Sequence, residues 1–223
     1  VGSYPVGIEG GTDVKSSITH EFSLDSRNSS TLPTSGSALR LYHELAGLGG
    51  TTSFFKQEIA FQPNLSLPFG FALNTYGRFG WVKTWRGRQN VRINDRFFLN
   101  TESIRGFAPR SVGPNKGGVS MGGDMYMAMG AHLSIPFPDP VPPFVRAHIF
   151  GNVANLSQSL PGQNVYRQIR KLGDMEEMRA SVGVGMVFDA QVGRLELNLC
   201  HPFSSTPSDI PKEWQISFSL GLL

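Results

Sequence analysis

A single cysteine, Cys200, rules out any disulfide within the sequence and with it a small, stapled secreted domain. Long apolar runs are absent too. No stretch approaches the roughly 18 continuous apolar residues of a membrane-spanning helix. Charge is sparse, at 17% of 223 residues, and the net charge is +3. No Lys/Arg run interleaves with aromatics, which argues against nucleic acid as a partner. The histidines at 20, 43, 132, 148 and 201 lack metal-ligand spacing. There is no Gly-x-Ser-x-Gly elbow, and Cys200 has no activating neighbour in sequence. Gly47-Leu48-Gly49-Gly50 joins two strands and opens no helix, so it is not a phosphate loop. Gly183 and Gly185 sit inside a strand and read as close packing. The expectation is a protein that is not an enzyme and needs no cofactor or metal. No secretory signal or transit segment opens the sequence, and its first residue is Val rather than Met, which points to a processed or cut N-terminus. Asn28, Asn64 and Asn155 begin N-x-Ser/Thr triplets that matter only on the secretory route.

Turn formers and alternation are plentiful. There are 26 Gly, 15 Pro and 16 Phe, the mean hydropathy is −0.15, and the apolar share is 39%. Period-two patterning marks strands at Ile18–Asp25, Ser37–Ala46, Thr52–Gln62 and Phe69–Lys83, with Gly47–Gly50 as a turn and a possible short strand at Val6–Glu9. After residues 86–120 it resumes at Met121–Pro136, where Met121, Met125, Met127 and Met129 form one side of a sheet. A Pro-rich turn leads to Phe144–Asn152. An irregular segment, Asn155–Asp174, follows, with a short helix expected at Val165–Leu172 whose basic face is Arg167, Arg170 and Lys171. The last strands are Ala180–Asp189, Gly193–His201 and Trp214–Leu222. Trp81 and Trp85 suit a membrane–water girdle. The cluster Lys83, Arg86, Arg88 and Arg92 reads as a solvated loop, or as a contact for anionic lipid or polypeptide. About nine one-sided strands in hairpin order give an all-β, antiparallel architecture. The polar side is a lumen if the wall is a membrane barrel and faces solvent if it is a soluble β-sandwich.

Between the fourth and fifth strands lies Asn94 to Phe107, a segment without period. Loops of this length are uncommon unless they do something. Its Ser103-Ile104-Arg105-Gly106-Phe107 resembles the Arg-Gly-Phe/Tyr loop signature of the outer-membrane β-barrel insertases. Gly193 to Asn198 and Cys200-His201-Pro202 resemble the penultimate strand of the mitochondrial member of that family, the barrel subunit of the sorting and assembly machinery. Asp25-Ser26-Arg27 and Pro33 to Gly36 fit the same family. The resemblance runs from about Ile18 to Leu223.

That resemblance implies an antiparallel transmembrane β-barrel of sixteen strands, of which this sequence is similar to strands eight to sixteen, a C-terminal portion of a longer chain. The first strand, which forms the lateral gate with the last, is then missing. Residues 86–120 are implied to fold into the lumen, where Ile104, Arg105, Gly106 and Phe107 form the signature. Arg105 is expected to pair with a wall carboxylate, since a guanidinium taken out of water needs a planar acceptor. Asp124 ranks first and Glu196 second. Asp189 shares the inward parity, and Asn152 stands where the family usually carries an aspartate. The alternative is a solvated arginine. The last strand resembles the family sorting signal (polar, any, Gly, two any, apolar, any, apolar). Gln215, Ser217, Leu220 and Leu222 occupy its named places, with Ser217 where glycine is usual. As an edge strand it can pair with an incoming one. The implied function is a non-enzymatic insertase of the mitochondrial outer membrane. Its implied partners are unfolded β-barrel precursors, accessory subunits of the assembly complex and the lipid bilayer. A related bacterial or plastid insertase or polypeptide translocase, and a soluble β-sandwich binding protein, remain as other readings.

Overall fold

The computed structural model describes residues 14–85, 91–158, 169, 170, 172–190 and 193–219. Alternating apolar and polar residues fold into long antiparallel strands: Lys15–Asp25 (β1), Gly36–Gly50 (β2), Phe54–Ser66 (β3) and Ala72–Thr84 (β4). Within the long connection, Asn115–Lys116 (β5) and Val119–Ser120 (β6) form a minimal hairpin. The wall continues with Met125–Pro136 (β7), Val145–Ser157 (β8), Arg179–Asp189 (β9), Arg194–Ser204 (β10) and Trp214–Ser219 (β11). One nine-stranded sheet runs β1-β2-β3-β4-β7-β8-β9-β10-β11, each strand beside its successor, with four strands before the loop and five after it. Among the described residues β1 and β11 are its two edges, and no helix is long and apolar enough to cross a membrane.

The strand bounds differ from the expected ones where glycine is concerned. Gly47–Gly50, expected as a turn, is the end of β2, and Gly50 pairs with Lys15 across a register shift. Gly47 and Gly50 have φ of +115° and +87°. Period-two patterning has no signal for a strand that ends in glycines, because there are no side chains to alternate. The strand β8 also runs on to Ser157, beyond the expected Asn152. The possible strand at Val6–Glu9 and most of the expected helix at Val165–Leu172 lie outside the described residues, as do Arg86 and Arg88 of the basic cluster.

The two faces of the sheet have opposite character. On one, Ile18, Phe22, Leu24, Phe61, Ile149, Val184, Leu197, Leu199 and Phe218 are exposed, and Trp214 and Ile216 keep 74% and 73% of their surface. On the other, Asn74, His148, Asn152, Ser181, Glu196, Asn198 and Gln215 are buried. This inverts a water-soluble sandwich, which would cover its apolar face with a second sheet and leave the polar one wet. Here the long loop packs on the polar face, and the apolar face is left bare across the whole width. Such a continuous apolar surface suits lipid and not water.

The core lies between the loop and the wall. Val91, Phe97, Leu99, Ile104, Phe107 and Val112 of the loop cluster with Ala46, Phe54, Val82, Tyr126, Ala128, Ala154 and Leu156 of the wall. Each Val, Leu, Ile or Phe among them contributes about 1.5–3 kcal/mol when removed from water. The fully buried alanines at 46, 128 and 154 are what make room, since larger residues there would fill the space the loop occupies.

Candidate functional site

The loop enters beside its own exit. Phe97 bridges to Gly123 in antiparallel fashion, so Arg96 falls next to Asp124. Arg96 Nε lies 3.9 Å from Asp124 Oδ1 and donates to the Val91 carbonyl at 2.8 Å, while its Nη1 donates to the Met121 carbonyl at 3.0 Å. Asp124, the candidate ranked first, is thereby engaged by a different arginine, which corrects the order of partners expected for Arg105.

Arg105 reaches instead across the face to Glu196 on β10. Its Nε donates to Oε2 at 2.8 Å and its Nη2 to Oε1 at 3.0 Å, a bidentate pair buried on both sides. The guanidinium also lies over the Phe150 ring, 5.1 Å from its centroid. Burial pulls the Arg105 pKa down, but the adjacent Glu196 charge and its hydrogen bonds more than offset this, so the net shift is upward and the group stays a cation. Glu196 is shared: Arg194 Nε sits 2.6 Å from Oε1 and Asn198 donates to Oε2 at 3.0 Å, while Asn198 Oδ1 lies 2.7 Å from His148 Nε2. A Cβ on Gly185 would collide with Asn198 Oδ1 and come within 2.8 Å of His148 Nε2, so a glycine there is what lets this chain of polar groups cross β9.

Backbone contacts complete the hold. Ser181 Oγ donates to the Arg105 carbonyl and lies 3.3 Å from Asn152 Oδ1, so Asn152 touches the signature through a hydroxyl rather than through a charge. Asp189 stands opposite Arg194 in the β9–β10 register, with its backbone N–H on the Phe144 carbonyl. Gly106 has φ +88°, and a Cβ on it would meet Ser181 Oγ at 3.0 Å and Cys200 Cβ at 3.3 Å. Both the backbone angle and the close approach call for glycine. Ile104 and Phe107 are the fully buried anchors on either side. Tyr76 Oη donates to the Ser103 carbonyl at 3.1 Å from β4.

The loop also grips the start of β11. Phe107 bridges to Pro211, Ala108 N–H donates to the Ile210 carbonyl at 2.9 Å, and Lys212 N–H donates to the Gly106 carbonyl at 2.8 Å. Gln215, buried, uses both ends of its amide: Oε1 accepts from Gly106 N–H at 3.3 Å and Nε2 donates to the Phe107 carbonyl at 3.2 Å. Ser217, half-buried, lines a cavity of about 90 Å³ beside Arg105, Arg194 and Glu196. Leu220 and Leu222 lie outside the described residues.

Residues 3–222 match the model of the Omp85 superfamily domain. The chain belongs to the Omp85 superfamily. Among curated relatives this Omp85 chain is 37% identical over 215 residues to the human sorting and assembly machinery component 50 homolog, covering 93% of this chain and 45% of that protein. The Bos taurus homolog is 37% identical over 217 residues, with 94% and 46% covered. A SAM50-like protein of Schizosaccharomyces pombe is 32% identical over 225 residues, with 97% and 46% covered. The chain thus spans about half the length of the curated relatives it matches. Among solved structures, BamA from Haemophilus ducreyi lacking POTRA domains 1–3 superposes with a TM-score of 0.77 at 19% identity, over 90% of this chain and 41% of that one. The Omp85 fold is that of an antiparallel outer-membrane β-barrel, and the bare apolar face is its lipid-facing wall.

Sequence reasoning passed over several members of this site. Parity put Arg194 and Asn198 on the inward face of β10 with Glu196, but nothing in the alternation says that they share one carboxylate. The pairing of 106–108 with 210–212 lacks any sequence signal, because it is made by backbone groups that every residue carries.

Proposed function

We propose that this Omp85 chain is the gate-bearing part of an insertase that folds β-barrel precursors into the mitochondrial outer membrane. The carrying observation is the hold of the signature loop on the start of β11, where Ala108 and Gly106 pair with Ile210 and Lys212 and the Gln215 amide closes on Gly106 and Phe107. A terminal strand that parts from its neighbour in an apolar surrounding accepts another extended chain, since each backbone pair made there removes unsatisfied polar groups from hydrocarbon. The energy for insertion comes from strand exchange and apolar burial. The loop, held by Arg105 on Glu196, keeps the inner side of the gate in place while the outer side exchanges partners. The residues Ile104, Arg105, Gly106 and Phe107 are the latch, Glu196 is its anchor, and β11 is the gate strand. Unfolded precursors, accessory subunits of an assembly complex and the bilayer are the partners. The likeness to sorting and assembly machinery component 50 homologs supports the mitochondrial address over a bacterial one.

The test is crosslinking in mitochondria whose full-length protein carries a photoreactive residue at Ile216, with Leu41 as the mid-wall control. A radiolabelled β-barrel precursor arrested during insertion should crosslink at Ile216 and not at Leu41. Normal precursor assembly with no crosslink at Ile216, or with equal yield at both positions, refutes the proposal.

A further inference from the structure

The apolar face of the wall carries one polar line. His20 on β1 stands opposite His43 on β2, His43 opposite Gln57 on β3, and Gln57 opposite Trp81 on β4. All four share the outward parity of Ile18, Leu41, Ile59 and Phe79. Along its strand each of the first three has apolar side chains on both flanks: Ile18 and Phe22, Leu41 and Leu45, Phe55 and Ile59. These three positions therefore lie within the lipid-facing band. A girdle residue at its margin has a polar neighbour on one flank, as Trp81 has in Lys83. Polar groups inside the band cost stability unless they are bonded, and they mark functional positions. The line satisfies itself only in part. His20 Nδ1 and His43 Nδ1 lie 3.4 Å apart in stacked rings, and Trp81 Nε1 donates to Gln57 Oε1 at 3.2 Å. Among the described residues no other group hydrogen-bonds to the two rings or to the Gln57 amide. The chemistry of two neutral rings fixes what they present. Whichever Nδ1 carries the proton donates it, so that ring keeps a bare Nε2 while its partner keeps an Nε2–H. In either tautomer the pair offers the membrane one donor and one acceptor, and Gln57 Nε2 adds a second donor.

From this complementarity we infer that His20, His43 and Gln57 form a docking site inside the membrane for a transmembrane helix of another protein, received through an amide or hydroxyl side chain on that helix. Acyl chains have no donor or acceptor to offer, and a lipid headgroup stays outside the apolar flanks. A helix keeps its backbone hydrogen bonds to itself and brings only side chains to a neighbour. One Asn, Gln, Ser or Thr on it meets the donor and the acceptor of the ring pair together. The width fits as well. From His20 to Gln57 the line crosses two strand spacings, about 10 Å, and a single helix is roughly 10–12 Å across. Phe55, with its ring centroid 6.2 Å from His43 and 5.4 Å from Trp81, supplies an apolar shelf beside the polar groups. The inference rests on the lipid-facing wall and not on the insertase reading, and it gives the outer surface a partner of its own.

The experiment uses the full-length protein in its native membrane, with a photoreactive residue at Leu45 beside the line or at Ile149 on β8 as the control, both exposed on the apolar face. Irradiation at Leu45 should join a second protein. The joined peptide, read by mass spectrometry, should be a membrane-spanning helix with Asn, Gln, Ser or Thr within one turn of the attachment. Ile149 should yield roughly tenfold less of that product. The combined His20→Leu and His43→Leu variant should also lose it roughly tenfold, the scale of one or two hydrogen bonds within a membrane. That variant should unfold at no less urea than the parent, because leucine suits a lipid-facing wall. His43→Gln keeps one donor and one acceptor and should retain the product. A product with lipid alone, with a second copy of this chain, or with no protein at all overturns the inference. So does equal yield at Ile149, a joined helix without such a side chain, or a yield that the leucine variant leaves unchanged. Loss of the product in His43→Gln, or a leucine variant that unfolds at lower urea, marks the line as structural and overturns it as well.

Discussion

Two arginines of the loop, Arg96 and Arg105, lie nine positions apart and do opposite jobs. Arg96 closes the loop on itself, with carbonyl partners at Val91 and Met121 and Asp124 at 3.9 Å. Arg105 ties the loop to a wall strand 91 residues away, with both oxygens of Glu196 engaged. The first arrangement is local and spread over several weak acceptors. The second is long-range and concentrated in one carboxylate that a second arginine shares. The contrast teaches where the structure is brittle: losing an acceptor near Arg96 leaves others, whereas losing Glu196 takes the carboxylate from two buried guanidiniums at once.

Glu196→Ala should have the largest effect. Removing one partner of a buried pair costs about 3–5 kcal/mol, so the full-length variant in lipid vesicles should unfold at clearly lower urea and expose the loop to protease. Stability within error of the parent would show that the loop is held by its apolar anchors alone. Arg105→Ala comes next, since it leaves Glu196 with Arg194 and Asn198 as partners. It should impair precursor assembly and loosen the loop at a cost of about 2–4 kcal/mol, and unchanged protease protection together with unchanged assembly would refute the latch. Gly106→Ala should cost about 1–3 kcal/mol, the penalty for a side chain at positive φ, compounded by crowding against Ser181, and its readout is the same urea midpoint. Asp124→Asn should be the mildest, under about 1 kcal/mol, because the carbonyl partners of Arg96 remain. A loss as large as that of Glu196→Ala would erase the distinction between the two arginines.

Much of the wall is legible in the sequence, because lipid and lumen impose period two on every strand. The parity of Leu195, Leu197 and Leu199 against Arg194, Glu196 and Asn198 separates the two faces of β10, and the methionine stripe identifies β7 as a strand. The partner of Arg105 is not legible in the same way. Parity allows Asp124, Asp189 and Glu196 equally, and closeness along the chain favours Asp124. What decides against Asp124 is the Phe97–Gly123 bridge, which brings Arg96 alongside it. A bridge made by backbone atoms leaves no mark in residue identity. The same holds for the pairing of the loop with Ile210 and Lys212. The glycine of the signature, by contrast, is explained once the structure gives its φ and its neighbours.

Cys200 lies on β10 against the place where Gly106 crosses, 4% exposed. This thiol is therefore a built-in clock for the loop. A reagent entering from the lumen reacts only during the intervals when the signature has lifted away, so labelling speed counts those openings without any engineered cysteine in this part of the protein. Ionic strength and substitutions at Glu196 can be ranked by how far each advances that clock, which turns a buried thiol into a direct measure of how often the loop lifts from the wall.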